Sequence, residues 1–337
     1  MSGRARPPRR PRELRLRSYA KVNLGLEVLG PRHDGYHELR TIFQTIALHD
    51  DVVLSARPRE VTLVCDHPEV PVDATNLALR AARELKRFAR VAAGAQIVLT
   101  KRIPVAGGLG GGSSNAATVL MGLDRLWALG LGPARLHPLA RRLGADVPYF
   151  LIGGTALGLA RGDEVYPLRR QVRAEVVVVD PERALSTAAV FRRLDARLTP
   201  RENTNRIFRF ISSDLEGAGT AFPILSNDLE RPALEEAPDL AARAALIRGI
   251  LIREGALMAS LSGSGASLFG LFDDPRRARR AQACLAARGF RALRSRTLSL
   301  DQYRRLWNAP ARARARGSDQ GRSGQHGDHR RQGHPRR

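Results

Sequence analysis

The sequence is poor in cysteine: only Cys65 and Cys284 occur in 337 residues, and neither has a second potential ligand at metal-site spacing. Disulfide-stabilised secreted domains need paired cysteines, and zinc sites need clustered cysteine or histidine ligands. The scarcity argues against both and favours a reducing compartment. We therefore expect a cytoplasmic protein. The alternative, an organellar transit peptide, has little support from the Pro-rich N-terminal segment.

Long apolar runs are also missing. The longest, such as residues 176–179, fall far short of the roughly 18 residues that a membrane-spanning helix needs. The basic N-terminus is like the start of a signal peptide, but Lys21, Asn23 and Glu27 interrupt the apolar region that would have to follow it. We expect neither a membrane span nor export.

Acidic residues are scarce relative to basic ones, 33 against 56, which gives a formal net charge of +23. About half of that excess lies at the ends, because residues 1–17 hold seven arginines and one glutamate, and residues 311–337 hold eight arginines and two aspartates. Such segments have too few apolar residues to fold. We predict a disordered basic arm over 1–17 and a disordered basic tail over 309–337. The part of the chain between these ends is also positively charged, which is compatible with binding either a polyanionic small molecule or a nucleic acid.

Glycine is abundant, and it is densest between Pro104 and Ser114. A strand pattern precedes this segment and an amphipathic helix pattern follows it, so the predicted order is strand, glycine loop, helix. Amides at a helix start have no intrahelical acceptor, and glycines let the backbone approach a phosphate closely. Ser113, Ser114 and Asn115 are predicted N-caps. The loop lacks both the P-loop pattern and GxGxxG, so neither of those nucleotide-binding folds is supported.

Residues 19–29 alternate as a half-buried strand does, with Lys21 and Asn23 on the polar face. A turn over residues 30–35 then brings Tyr36 and His37 to the mouth of a hairpin. A lone lysine on a strand is usually solvated, and a neighbouring tyrosine and histidine are usually a surface pair. The alternative is that these residues line one ligand site.

Asp146 lies at an element boundary, after a helix-ending glycine and two residues before Pro148. On local sequence alone, an aspartate in this position most often stabilises a turn, and Asp163 is also predicted to be a turn residue. Thr187 and Phe191 are four residues apart and would share a side of a helix, where core packing is the default for the phenylalanine.

Three stretches together resemble the GHMP kinase superfamily of small-molecule kinases: YAKVNLGL, PVAGGLGGGSSNAA and LSGSGASLFGLF. The resemblance covers about residues 18–306. It implies an α+β fold of two domains, a ribosomal-protein-S5-domain-2-like N-terminal domain over 18–168 and a ferredoxin-like C-terminal domain over 169–308. It also implies ATP as cosubstrate, with Mg²⁺ on its phosphates. Ala106 departs from the pattern, because many relatives have glycine there.

The further stretches DGYHELRTIFQTI, GADVPYF, STAAVF and SNDLE resemble one branch of that superfamily. That branch phosphorylates the 2-hydroxyl group of a cytidine diphosphate-linked methylerythritol, in the non-mevalonate route to isoprenoid precursors. The resemblance implies that the ATP phosphates are wrapped by Pro104, Val105, Ala106, Gly107, Gly108, Leu109, Gly110, Gly111, Gly112, Ser113 and Ser114.

The same resemblance implies roles for single residues. Asp146 would accept the hydroxyl proton, with Lys21 beside it and Asn23 orienting the pair. By the same resemblance, Tyr36 and Phe191 would sandwich the cytosine, His37 would hydrogen-bond to its edge, and Thr187 would bind near the erythritol. The implied substrate-binding residues are Asn23, Tyr36, His37, Thr187 and Phe191. Ser114 would be a neighbour of Mg²⁺ and not a ligand, and no side chain is predicted to ligate a metal.

Two other functions stay open from the sequence. A GHMP kinase for another alcohol would keep Lys21, Asp146 and the loop but lose the cytidine pocket. A nucleic-acid-binding protein would use the S5-like fold and the basic ends, and its binding would weaken steeply with salt. We expect no specific nucleic acid and no membrane partner, and a monomer or a dimer.

Overall fold

The computed structural model describes residues 12–195, 205–215 and 225–308. Its strands are β1 (Glu13–Pro31), β2 (His37–Arg57), β3 (Val61–Cys65), β4 (Gly94–Thr100), β5 (Thr155–Leu159), β6 (Glu164–Pro167), β7 (Glu175–Asp180), β8 (Met258–Leu261), β9 (Leu268–Phe272) and β10 (Arg291–Arg296). Its helices are α1 (Leu77–Phe88), α2 (Gly111–Leu126), α3 (Gly132–Leu143), α4 (Tyr149–Ile152), α5 (Thr187–Asp195), α6 (Arg206–Leu215), α7 (Glu230–Glu236), α8 (Pro238–Arg253), α9 (Pro275–Ala286) and α10 (Leu300–Asn308).

The first sheet is built around the long hairpin of β1 and β2, whose strands pair along almost their whole length. The strand order is β3, β4, β2, β5, β6, and β1 pairs with β2 outside this order. Among the described strands of this sheet, only β3 and β4 pair in parallel. Helices α1 to α4 pack on this sheet around a core of aliphatic and aromatic side chains. Helix α2 is buried over most of its length, so its first turn, where the glycine loop ends, has a fixed position.

Strand β1 begins earlier than expected. Residues 13–17, assigned from their charge to the basic arm, pair with β2 from Glu13 opposite Ser55. The physical reason is their alternation: Leu14 and Leu16 pack against the core, while Glu13, Arg15 and Arg17 are exposed. The rest of the predicted arm and the predicted tail, residues 1–11 and 309–337, lie outside the described residues.

The second sheet is antiparallel, in the order β10, β7, β9, β8. The apolar run of β7 is buried on both faces. Val177 and Val179 pack with the helices of this sheet, and Val176 and Val178 pack against the first sheet. Ala20, Val22 and Leu24 of β1 pack in the cluster between the sheets, as their alternation predicted. The predicted α+β class is therefore confirmed, with one sheet before residue 168 and one after it.

Within the ranges that the structure describes, no helix is both long enough and apolar enough to cross a bilayer.

Candidate functional site

A cleft of about 690 Å³ opens where the polar face of β1 and the glycine loop meet α5 and the turn between β8 and β9. It collects side chains from distant parts of the chain: the polar face of β1, the β1–β2 turn, the glycine loop, the start of α5 and the turn between β8 and β9. The predicted site residues among its lining are Lys21, Asn23, Tyr36, His37, Gly108, Gly110, Ser113, Asp146, Thr187 and Phe191.

The glycine loop connects β4 to α2, and the helix starts earlier than the serines suggested. Gly110, with φ of +70°, is the N-cap residue, and no side chain in the described part of the chain caps the helix. The prediction that Ser113, Ser114 or Asn115 caps it is therefore wrong. A left-handed residue at that point is compatible with glycine and strained for other residues. The first turn of α2 therefore presents backbone amides at the cleft end of the loop.

The loop is held against the turn between β8 and β9. The Ser262 hydroxyl donates to the Gly108 carbonyl at 2.9 Å, and the Ser267 amide donates to the Gly107 carbonyl at 3.2 Å. The approach at Gly108 is so close that a Cβ atom there would lie 2.1 Å from the Ser262 carbonyl oxygen. Ala106, at the position where glycine was expected, adopts a left-handed φ of 55°.

Ser114 does not face the cleft. Its side chain is buried, and its hydroxyl accepts a hydrogen bond of 2.7 Å from the Ser18 hydroxyl on β1. Ser113, one residue earlier, lines the cleft instead. The two serines of the motif therefore have different surroundings, because successive residues of a helix point about 100° apart.

Lys21 and Asp146, 125 positions apart in the sequence, meet in the cleft with 3.5 Å between Nζ and Oδ2. The Lys21 side chain is only 4% exposed and that of Asp146 is 34% exposed, so the ammonium is enclosed while the carboxylate reaches open space. Lys21 Nζ also donates to Asn23 Oδ1 at 2.6 Å, and Asn23 Nδ2 donates to the Thr41 hydroxyl at 2.8 Å. The Lys21 amide donates to the Leu109 carbonyl, which ties β1 to the glycine loop.

At the other end of the cleft are the aromatic residues. His37 stacks on Phe191, with ring centroids 4.6 Å apart, so the α5 phenylalanine faces the hairpin mouth and not only the core. Tyr36 is 52% exposed and does not stack on Phe191; the Arg161 guanidinium lies over its ring instead. The Thr187 and Ser264 hydroxyls lie 2.8 Å apart, which joins α5 to the β8–β9 turn.

Sequence reasoning missed a buried carboxylate beneath the glycine loop. Asp50, which lies in β2 opposite Ser18 of β1, is fully buried. Its Oδ1 accepts from the amides of Arg102 and Ile103 at 2.8 and 2.9 Å, just before the loop. Its Oδ2 accepts from Asn115 Nδ2 at 2.9 Å and forms an ion pair with the Lys101 ammonium. One side chain thus links the segment that enters the loop to the helix that leaves it. An aspartate in a HDD triplet gives no local signal of this.

Asn227, in the SNDLE stretch, lies three residues before the first residue of α7. Its Nδ2 donates to the carbonyls of Leu261 and Gly263, at 3.1 and 2.7 Å, and its Oδ1 accepts from the Leu229 amide. It therefore fixes the glycine-rich turn that packs on the loop.

No group of three or more His, Cys, Asp or Glu side chains in the described ranges could hold a metal ion.

Comparison with known proteins agrees with this architecture. The family described as GHMP kinases N terminal domain matches residues 76–154, and GHMP kinases C terminal matches residues 219–291. A solved homoserine kinase from Cytophaga hutchinsonii covers 88% of the chain with a TM-score of 0.68 at 16% identity, which shows a shared fold alone. The two family matches and the two sheets show that the chain has the two-domain architecture of the GHMP kinases.

Proteins with higher sequence identity identify the branch of the GHMP kinases to which the chain belongs. The 4-diphosphocytidyl-2-C-methyl-D-erythritol kinase of Synechococcus sp. is 40% identical over 79% of this chain and 87% of its own length. That of Gloeobacter violaceus is 42% identical over 81% and 90%. A crystal structure of 4-(cytidine 5'-diphospho)-2C-methyl-D-erythritol kinase matches with a TM-score of 0.68 at 36% identity, covering 84% of this chain and 99% of the other. The chain belongs to the 4-diphosphocytidyl-2-C-methyl-D-erythritol kinase family.

Proposed function

We propose that the chain transfers the γ-phosphoryl group of ATP to the 2-hydroxyl group of 4-diphosphocytidyl-2-C-methyl-D-erythritol, a step of the non-mevalonate route to isoprenoid precursors. The observation that carries the proposal is the Lys21–Asp146 pair, which lines the same cleft as the glycine loop and the aromatic wall formed by Tyr36, His37 and Phe191. The relatives that are about 40% identical are named as kinases of this substrate, which supports its choice here.

Asp146 is the proposed base. Its carboxylate is partly open to the cleft, so an alcohol could donate a hydrogen bond to it and pass its proton to Oδ1 or Oδ2. The Lys21 ammonium is enclosed and held by Asn23, so it offers a fixed positive charge to the oxygen that attacks phosphorus. Phosphoryl transfer depends on such positioning and charge compensation more than on covalent chemistry.

ATP would bind at Pro104–Ser114. The fit is supported by the uncapped start of α2 and by the close packing of the glycines on the β8–β9 turn, both of which suit an anionic ligand held by backbone amides. When bound, ATP supplies the phosphoryl group and Mg²⁺ neutralises its charge. Because the described residues offer no acidic cluster, Mg²⁺ would be held chiefly by phosphate oxygens and water. Ser113, which lines the cleft, is better placed near the phosphates than Ser114.

The cytosine is proposed to lie between Tyr36 and Phe191, with His37 bonding to its edge and Thr187 near the methylerythritol. In the structure, the His37 ring lies on Phe191. The proposal therefore requires the imidazole to leave that face when cytosine stacks there. Stacking on aromatic rings is a favourable mode of base binding, about 1–3 kcal/mol per base, so it can offset the loss of the His37–Phe191 contact.

The activity is tested by coupled ADP release with the cytidyl substrate and, in parallel, with mevalonate, homoserine and galactose. We expect turnover with the cytidyl substrate alone. Turnover only with another alcohol would identify a different GHMP kinase. No turnover with any of the four, together with salt-sensitive nucleic-acid binding that survives loss of Asp146, would favour the nucleic-acid hypothesis.

The base assignment has its own test. Asp146→Asn should lower kcat by a factor on the order of 100 or more while the KM for ATP stays close to that of the parent, since the amide cannot accept the proton. Asp273→Asn is the matched control, because Asp273 is 57% exposed in a surface pair with Arg277. Near-parental turnover by the Asp146 variant would contradict the assignment.

Two further expectations belong to this proposal. We place the reaction in the cytoplasm, which cell fractionation would check. We expect a monomer or a dimer, which sedimentation at working concentration would check.

A further inference from the structure

The turn between β5 and β6, residues 160–163, forms one wall of the cleft beside the β1–β2 hairpin. The Leu39 amide donates to the Ala160 carbonyl at 2.7 Å, which fixes the turn against the first residues of β2. Arg161 therefore lies next to Tyr36, and both residues line the cleft. Neither composition nor motif suggested a role for this arginine.

The arginine side chain is anchored from below by Asp163. This carboxylate is fully buried, and its Oδ2 accepts from an Arg161 terminal nitrogen at 2.8 Å and from Arg141 Nε at 2.9 Å. Burial raises the pKa of the Asp163 carboxyl, but the bonds from Arg161 and Arg141 outweigh it, so this pKa lies below its usual range. The Arg161 guanidinium is therefore held by a charge that persists at neutral pH.

Above that anchor, the Arg161 Cζ atom lies 4.6 Å from the centroid of the Tyr36 ring. The backbone of Tyr36 is already fixed, because its carbonyl accepts from the Arg32 amide at 2.7 Å and its amide donates to Asp34 at 3.2 Å. Its side chain, in contrast, is half-exposed. The freedom that remains is rotation of the ring, and the guanidinium contact limits that rotation through a cation–π interaction.

We propose that Arg161 is a positioning residue for the nucleobase: anchored by Asp163, it holds the Tyr36 ring in the orientation that receives the cytosine of the acceptor. The inference rests on the proposed function and adds a specificity determinant to it. Loss of the contact should leave ATP binding and the chemical step unchanged, because the glycine loop and the Lys21–Asp146 pair lie elsewhere in the cleft.

The test uses the full chain, with CDP binding measured by calorimetry and the KM for the cytidyl acceptor measured by ADP release. Arg161→Ala should weaken CDP binding and raise the acceptor KM roughly three- to tenfold, the range of one partly exposed cation–π contact. Arg161→Lys should lie between this variant and the parent. Arg141→Gln is the matched control, because it removes the other guanidinium from Asp163 while Arg161 stays on the ring, and it should bind CDP within about twofold of the parent.

A double-mutant cycle separates a role through Tyr36 from direct contact with the ligand. In a Tyr36→Ala background, adding Arg161→Ala should change CDP binding no further. An effect of Arg161→Ala that persists in that background, or unchanged CDP binding in the single variant, overturns the inference while leaving the proposed function standing. If the parent chain neither binds CDP nor turns over the cytidyl acceptor, the proposed function fails and the inference fails with it.

Discussion

Replacing Asp50 by asparagine removes one charge from beneath the glycine loop without changing the size of the side chain. In the parent protein this carboxylate is completely buried and accepts four hydrogen bonds, two on each oxygen. An asparagine in the same place has one NH₂ group, which must face either the two backbone amides or the Asn115 and Lys101 side chains. All four neighbours are donors, so one side of the new amide meets groups with which it cannot bond.

The larger cost comes from Lys101. Its side chain is 5% exposed and its ammonium is paired with Asp50, so the variant leaves an enclosed positive charge without its counter-ion. Removing one partner of a buried ion pair typically costs about 3–5 kcal/mol. The ammonium also lies near the start of α2, since a Cβ atom on Gly111 would be 3.3 Å from it, and a cation is unfavourable there without Asp50. We expect Asp50→Asn to lower the free energy of unfolding by about 3–5 kcal/mol.

The assay is urea denaturation at pH 7 with linear extrapolation, and the neighbouring residue provides the control. Asp51 pairs with Arg102 at the surface, with side chains 38% and 41% exposed, so Asp51→Asn should cost less than about 1 kcal/mol. Lys101→Met added to the Asp50 variant should recover part of the loss, because it removes the unpaired charge. This account would be refuted if Asp50→Asn lowered the free energy of unfolding by less than about 1 kcal/mol, as the control is expected to do.

The other predictions concern two glycines and one carboxylate. Gly110→Ala should destabilise the protein by about 2–4 kcal/mol, since φ is +70° and the new Cβ would lie 2.8 Å from a Phe150 ring atom; Gly112→Ala, whose Cβ would meet its nearest atom at 3.7 Å, should be neutral or slightly stabilising, and thermal unfolding of both variants checks this. If the two variants unfold alike, the steric argument fails. The folded-state pKa of Asp163 is lowered from 3.8, so its stabilisation is present above about pH 4 and is lost as pH falls through the folded pKa. Asp163→Asn should therefore flatten the fall in unfolding free energy below pH 4, which urea titrations at stepped pH would measure, and an unchanged slope would contradict it.

Much of the fold could be predicted because its signals are local. The alternation of β1, the strand–loop–helix order around the glycines and the four-residue spacing of Thr187 and Phe191 each depend on a short stretch of sequence. The errors have local causes as well. Serine is a favourable N-cap residue, but α2 begins before the serines, at a glycine in the left-handed region. The charged residues within 13–17 suggested a disordered arm, although the leucines between them alternate as in a strand.

The parts of the site that escaped prediction depend on contacts between distant segments. Asp50 has its partners 51–65 positions away, and the sequence around it resembles any polar strand end. Asp163 does lie in a turn, as predicted, but one of the two arginines that bond to it, Arg141, comes from α3, 22 positions away in the sequence. Local chemistry cannot distinguish such a carboxylate from a solvated one, because the difference is made by its neighbours in space.

The arrangement of the cleft implies that different kinetic constants report on different parts of it. The glycine loop is positioned by Asp50 and by the β8–β9 turn, while the aromatic wall is positioned by Asp163 through Arg161, and the described contacts of these two carboxylates do not overlap. Damage to the loop should therefore raise the KM for ATP, and damage to the wall should raise the KM for the acceptor. The Lys21 side chain contacts both parts: its ammonium pairs with Asp146, and its stem packs on the loop, where a Cβ atom on Gly110 would lie 3.1 Å from Lys21 Cγ. Replacement of Lys21 should therefore lower kcat and raise the KM for ATP together. Measuring both substrates for each variant would show whether the two supports are independent, and a Lys21 variant that changed only the acceptor KM would contradict the bridging role.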